Sequence, residues 1–315
     1  MYVAAALAVY AQLPAAMGSR TLLFLGDSLS MESMLQMADV IGGMSGGLQS
    51  HPHKDHACIA WPNGFRLCHL GVSRDLAIVP RQPRLTSAAP CYGREWATIT
   101  SMLLDDVLRW CLQPLGYGPR DVVVVSVGVH HNTPSQTLLP EVEGLGKWLA
   151  HTKPDSRPCL LWREALPQNF QTEDGTFGGF LAPHTCELAT ASASASASVS
   201  ASAAHHVANW CAPLPTGFVE RGSRQKYNDL TTPVLEGLLP IIRMFRAATP
   251  FWELHAECLQ EFDKHSSKQR MTNYFGASGK AADCTHYPAP SPVHYMAHLL
   301  LFTVLEERCG VKWGR

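Results

Sequence analysis

None of the ten cysteines forms a CxxC pair, which weakens zinc-ribbon and thioredoxin-type readings. There is no basic stripe interleaved with aromatics. The formal net charge of −1 therefore leaves nucleic-acid binding without an electrostatic footprint. Charge of either sign is scarce, at 16% against 46% hydrophobic residues, a balance that excludes a disordered chain and fits a globular one. Long apolar runs are also missing. The N-terminal stretch MYVAAALAVYAQLPAAMG has an apolar run and small residues but no basic region ahead of them. It contains Gln12 and Pro14 and is too short for a comfortable membrane span. Residues 1–20 thus read as a signal or anchor remnant, or as an N-terminal structural segment.

What is present is an alternation of strands and helices. Residues 21–25, TLLFL, form a short apolar run that ends at Gly26 and predicts a buried parallel strand. Met31, Met34, Leu35 and Ala38 then recur at helical spacing, which puts Ser28 at a strand-to-helix junction. Residues 42–70, rich in Gly, His and Pro, read as a long loop, and 76–79 as a second strand. An amphipathic helix is expected over 94–113, stopped by Pro114 and Gly116. Residues 121–127, DVVVVSV, are the strongest strand, and their continuous β-branched run implies burial on both faces. A helix over 137–151, a strand over 159–163 and helices over 230–247 and 252–262 follow. The last helix is expected to start with Ser291 as N-cap and Pro292 at its first position, and to stop near Gly310. Residues 190–204 are nearly pure Ala and Ser, a flexible insertion in a surface loop. The pattern predicts a single-domain α/β three-layer sandwich with a mostly parallel central sheet, occupying residues 21–315. In such sheets sites lie beyond the carboxyl ends of the strands, so Gly26–Ser28 and Gly128–Asn132 belong on one rim.

Three segments carry chemistry. In Gly26-Asp27-Ser28-Leu29 a serine sits where a strand turns into a helix, which exposes its hydroxyl and aims helix N–H groups at a developing oxyanion. The plain alternative is a tight turn with Asp or Ser capping the helix. Asp283-Cys284-Thr285-His286 can present a carboxylate and an imidazole together, as a base needs a third group to fix its tautomer. The alternative is a capping Asp beside an exposed His. Ser126-Val127-Gly128-Val129-His130-His131-Asn132 ends a core strand in polar side chains and can supply an oxyanion donor, or it is a polar loop. Trp162-Arg163-Glu164 closes a buried strand, and its charged pair lines the cleft or forms a structural ion pair. His51, His53, His56 and Cys58 form a rival cluster of metal-ligand types, although their spacing matches no common zinc motif.

The order GDS, glycine-ended strand, DxxH resembles that of SGNH hydrolases. TLLFLGDSLS, DVVVVSVGVHHN, WREALPQNF and DCTH resemble the PC-esterase and trichome-birefringence-like branch, which includes polysaccharide O-acetyltransferases. The resemblance runs over about residues 21–300 in short blocks. It implies Ser28 as nucleophile, His286 as general base and Asp283 as its orienting partner, with no cofactor or metal. It also implies an oxyanion hole drawn from Ser28, Gly128 and Asn132 or Ser126, and Asp27, His130 and Arg163 near the cleft. The implied partners are an ester of a small molecule or glycan and an acyl donor, in the secretory pathway. The chain departs from the branch where Ser126 replaces an Asn and Pro288 replaces a Cys. It departs from general SGNH enzymes where His130 stands for an Asn. The second-block glycine of those enzymes is Gly71 or Gly93. Two other readings stand beside this one: a degenerate SGNH-fold module that binds a glycan or protein, and a metal-dependent hydrolase built on the 51–58 cluster. The even cysteine count leaves disulfides and free buried thiols on equal footing.

Overall fold

In the computed structural model the described residues are 2–45, 56–72, 102–128, 131, 134–168, 225–250, 287 and 291–314. Their core is a six-stranded open sheet in the order β2-β3-β1-β4-β5-β6. Its strands are β1 Thr21–Gly26, β2 His56–Ala60, β3 Arg66–Gly71, β4 Val122–Ser126, β5 Cys159–Arg163 and β6 Ile241–Ile242. All neighbours run parallel except β2, which pairs antiparallel with β3. The protein is therefore α/β with a mostly parallel sheet. Both β1 and β4 are buried along their whole length, as an apolar strand covered on both faces must be.

The helices are α1 Tyr2–Met17, α2 Ser28–Ser45, α3 Leu104–Asp106, α4 Pro134–Thr137, α5 Leu139–His151, α6 Lys226–Leu235, α7 Phe245–Ala248 and α8 Pro292–Cys309. The chain divides into two compact units. One holds residues 1–166, 226–245 and 289–315, the other 167–225 and 246–288. In the second unit the amide of Gln225 accepts from the Gln168 N–H and donates to its carbonyl, and the Tyr287 hydroxyl donates to Pro167 O. No helix among the described residues is long and apolar enough to cross a membrane.

Several expectations need correction. The long loop over 42–70 contains β2 and β3, joined by a tight turn at Pro62-Asn63-Gly64 in which Gly64 takes φ 87°. An Asn-Gly between two apolar runs is a strong hairpin signal, since only small residues tolerate a positive φ there. The single helix over 230–247 is broken: α6 ends at Leu235, Gly237 turns with φ 83°, and Pro240 leads into β6. The amphipathic helix over 94–113 appears, within its described part, as α3 continued by a π-helical turn at Val107–Cys111. Its first amide, Leu104 N, donates to the buried Glu141 carboxylate of α5 at 2.8 Å. The strand over 76–79, the helix over 252–262 and the Ala/Ser tract lie outside the described residues.

Within the N-terminal segment, Tyr2–Met17 forms α1, which packs against α2, with Tyr10, Leu13 and Met17 buried. The Tyr10 hydroxyl lies 2.6 Å from His298 Nδ1, and Ser33 Oγ lies 2.9 Å from the other ring nitrogen. A neutral imidazole meets both demands, donating from one nitrogen and accepting at the other. At its far end α8 is capped as the sequence indicates. The Ser291 hydroxyl accepts from Val293 N, and Gly310 closes the helix at φ 63°. Asp121 ties the parallel pair β1 and β4 at their starts, accepting from Thr21 N at 2.6 Å and Gly118 N at 2.8 Å.

The described cysteines are oxidised, which decides between disulfides and free thiols at those positions. Cys58 pairs with Cys68 across the antiparallel strands, and Cys159 at the start of β5 pairs with Cys309 at the end of α8. Cys111 is disulfide-bonded as well. The Cys159–Cys309 bridge closes a loop of 150 residues, and long loops lose the most unfolded-state entropy on cross-linking. Cys159→Ala with Cys309→Ala should lower stability by about 2–5 kcal/mol in non-reducing urea unfolding. An unchanged midpoint would show that the bridge constrains nothing.

His298 supplies a second test. Burial and the nearby Arg163 cation push its pKa down to about 3, against the ordinary value near 6.5. The unfolded chain therefore takes up a proton between pH 6.5 and 3 that the folded state refuses. Stability should be level above that window and fall through it by up to about 1.4 kcal/mol per pH unit. Tyr10, Phe24, Ser33, His294 and Phe302 face the ring, and the Arg163 charge opposes its protonation. His298→Gln should flatten the acid limb of a melting-temperature profile relative to wild type. Parallel limbs would contradict the assignment.

Candidate functional site

The sheet order creates one switch point. From β1 the chain passes through α2 to β2 and β3 on one side, then returns to β4 on the other. Clefts in open α/β sheets form at the carboxyl ends of strands where the order reverses. Gly26, the last residue of β1, is in register with Gly71 of β3 and with Ser126 of β4. Gly71 therefore occupies the neighbouring strand end, whereas Gly93 lies outside the described residues.

Glycine at 26 is a requirement of close approach. A Cβ there would lie 1.9 Å from the Ser126 carbonyl oxygen and 2.5 Å from Ser30 Oγ. The next residue, Asp27, is buried and works as the helix cap. Its Oδ1 accepts from Leu29 N at 3.1 Å, and its carbonyl accepts from Ser30 N and Met31 N. On the other side Asp27 O receives the buried His69 Nε2 of β3 at 3.3 Å. Ser28 is thus the first residue of α2, half-buried, directly above the paired ends of β1, β3 and β4.

This geometry narrows one expectation. The amides of Leu29, Ser30 and Met31 are engaged by Asp27, so the helix turn does not offer them to an oxyanion.

Ser126 is buried, and its carbonyl receives the Ser30 hydroxyl at 3.0 Å. Gly128 follows β4 at φ 149° and packs on Tyr227 of α6, where a Cβ would come within 2.9 Å. His131 N donates to Gly128 O at 2.9 Å. Arg163, the last residue of β5, is 1% exposed and lies beneath the rim. Its Nη2 donates to Ser30 Oγ at 3.4 Å, and the Asp27 and Glu32 carboxylates favour its charged form. Glu164 is not its ion-pair partner: that carboxylate receives Phe245 N and faces Arg243 at 3.8 Å.

The structure therefore brings Asp27, Ser28, Ser126, Gly128 and Arg163 to one end of the sheet. Asn132, His130, Asp283 and His286 lie outside the described residues. Of the rival metal cluster, His51 and His53 lie outside as well, and Cys58 has its sulfur in a disulfide, which removes a thiolate ligand from that reading. Among the described residues no group of histidine, cysteine and acidic side chains is placed to hold a metal ion. Ser30 and His69, which hold the Ser28 turn from below, were not anticipated. Ser30 repeats two residues after Ser28 in GDSLS, and His69 shares one face of β3 with Leu67 and Gly71 by strand alternation.

No protein-family model matches the chain, and a search of curated proteins found no significant match.

Gly26→Ala tests the close approach. The added methyl cannot coexist with the Ser126 carbonyl, so β1 and β4 must separate at their ends. A loss of about 1–3 kcal/mol or more, up to failure to fold, is expected by analogy with overpacked cores. A variant with wild-type melting temperature would show that the strand ends are not in contact.

Proposed function

We propose that this protein is a serine-dependent acyl-transferring enzyme with an SGNH-type three-layer sandwich, acting on an ester of a glycan or another hydroxyl-bearing molecule. The observation that carries the reading is the placement of Ser28. It heads the helix that leaves the central strand, at the switch point of a parallel sheet, with glycines at the paired ends of β1 and β3.

In this reading Ser28 Oγ attacks the ester carbonyl carbon while His286 takes its proton. The carbonyl oxygen becomes an oxyanion, held by the N–H of Ser28 and by donors from Gly128 to Asn132. Asp283 holds the far imidazole nitrogen and stabilises the imidazolium. Collapse expels the alkoxide, which takes the proton from His286 and leaves an acyl-Ser28 ester. A water or sugar hydroxyl, deprotonated by the same histidine, then receives the acyl group. Water makes the enzyme an esterase, and a sugar hydroxyl makes it an O-acyltransferase.

The Gln36 side chain of α2 donates to Ser291 O at 3.0 Å and accepts from Ser291 N at 2.9 Å, which ties the start of α8 to the helix that Ser28 heads. The disulfides suit a protein of the secretory pathway, where thiols are oxidised.

A fluorophosphonate should label Ser28, and Ser28→Ala should abolish both labelling and ester turnover. Removing a nucleophile in well-studied serine enzymes costs on the order of 10⁴–10⁶ in rate. Undiminished turnover by a folded Ser28→Ala variant would rule out the covalent route. A folded wild-type protein that neither labels nor turns over activated esters would favour a binding module on the same fold.

A further inference from the structure

A guanidinium is almost never buried without partners, because removing its charge from water costs several kcal/mol before relaxation. Arg163 is such a case. It is 1% exposed at the end of β5, and its Nε and Nη1 have no hydrogen-bond partner among the described residues. Its one hydrogen bond there runs from Nη2 to Ser30 Oγ, and Ser30 Oγ in turn donates to Ser126 O. The carboxylates of Asp27 and Glu32, both on or next to the first turns of α2, supply the compensating charge. Burial still lowers its pKa to about 10, so the cation persists at neutral pH.

Asp27 caps α2 immediately before Ser28, Ser30 lies two residues after Ser28, and Glu32 four residues after it. One cation at the end of β5 thus bonds the Ser30 hydroxyl and feels the Asp27 and Glu32 charges. Arg163 does not border solvent, so it is placed to act on the turn rather than on a bound molecule.

We propose that Arg163 is a positioning residue for Ser28: from beneath, it clamps the first turn of α2 onto the ends of β4 and β5. The clamp works through Ser30 to the Ser126 carbonyl and through the Asp27 and Glu32 charges. It fixes the direction of the Ser28 side chain and N–H. The proposal rests on Ser28 being the nucleophile for its catalytic consequence, but the clamping of the turn can be read independently of any activity.

The test compares wild type with Arg163→Met, Arg163→Lys and Ser30→Ala. Hydrogen exchange is followed at the amides of Leu29, Ser30 and Met31 and at core amides of β1 and β4. Arg163→Met and Ser30→Ala should exchange the three turn amides about tenfold faster, with the core amides unchanged. Arg163→Lys, which keeps the charge but not the fork, should restore part of the protection. In labelling and turnover, kcat and the fluorophosphonate rate should fall while KM holds, again with partial rescue by lysine. Should Arg163→Met fail to fold, Ser30→Ala and Arg163→Lys carry the comparison. Turn amides that exchange as in wild type in the folded variants, or that change only together with the core, would overturn the proposal. If wild type itself leaves Ser28 unlabelled, the acyl-transfer reading fails, and the exchange data still decide whether Arg163 holds the turn.

Discussion

The end of the central strand tolerates no side chain. Gly26 of β1 lies so close to β4 that a Cβ would come within 1.9 Å of the Ser126 carbonyl oxygen. That contact sets the height at which the chain leaves the sheet. Asp27 can then sink beside His69 and cap α2, Ser30 can reach the Ser126 carbonyl, and Ser28 falls on the upper side of the turn. A larger residue at 26 would lift the turn and uncouple all three.

Beneath the turn the interior is unusually polar. His298 is shared between Tyr10 of α1 and Ser33 of α2, His294 lies 3.7 Å from Glu32, and Arg163 lies under Ser30. Such groups are expensive to bury and are weak grounds for stability by themselves. Their effect is to give α1, α2 and α8 directional contacts that apolar packing alone would leave free to slide. Gln36 adds to this by holding Ser291 through both backbone groups, which fixes where α8 begins.

The parts legible in the sequence were those written in local patterns. Continuous apolar runs, β-branched in β4 alone, announced β1, β4 and β5, and Ser291-Pro292 and Gly310 marked both ends of α8. The hairpin of β2 and β3 was read as loop because its Gly, His and Pro content outweighed the Asn63-Gly64 turn between two apolar segments. The break after α6 was missed because the apolar spacing continues through Gly237 and Pro240 into β6. In the site, GDS gave Ser28 its place at the junction. The roles of Ser30, His69 and Arg163 were not legible, because each depends on strand neighbours distant in sequence. Commitment of the Leu29, Ser30 and Met31 amides to Asp27 was equally invisible, since a capping aspartate and an oxyanion-facing turn look alike in one dimension.

The central claim is that acyl groups pass through Ser28. Its most direct measurement is peptide mapping by mass spectrometry of protein acid-quenched during turnover of an activated acyl ester. The account predicts one acyl group, on the peptide bearing Ser28, that disappears as substrate is exhausted. Turnover with the acyl group on another residue, or turnover with no acylated peptide under conditions where deacylation limits the rate, would contradict it.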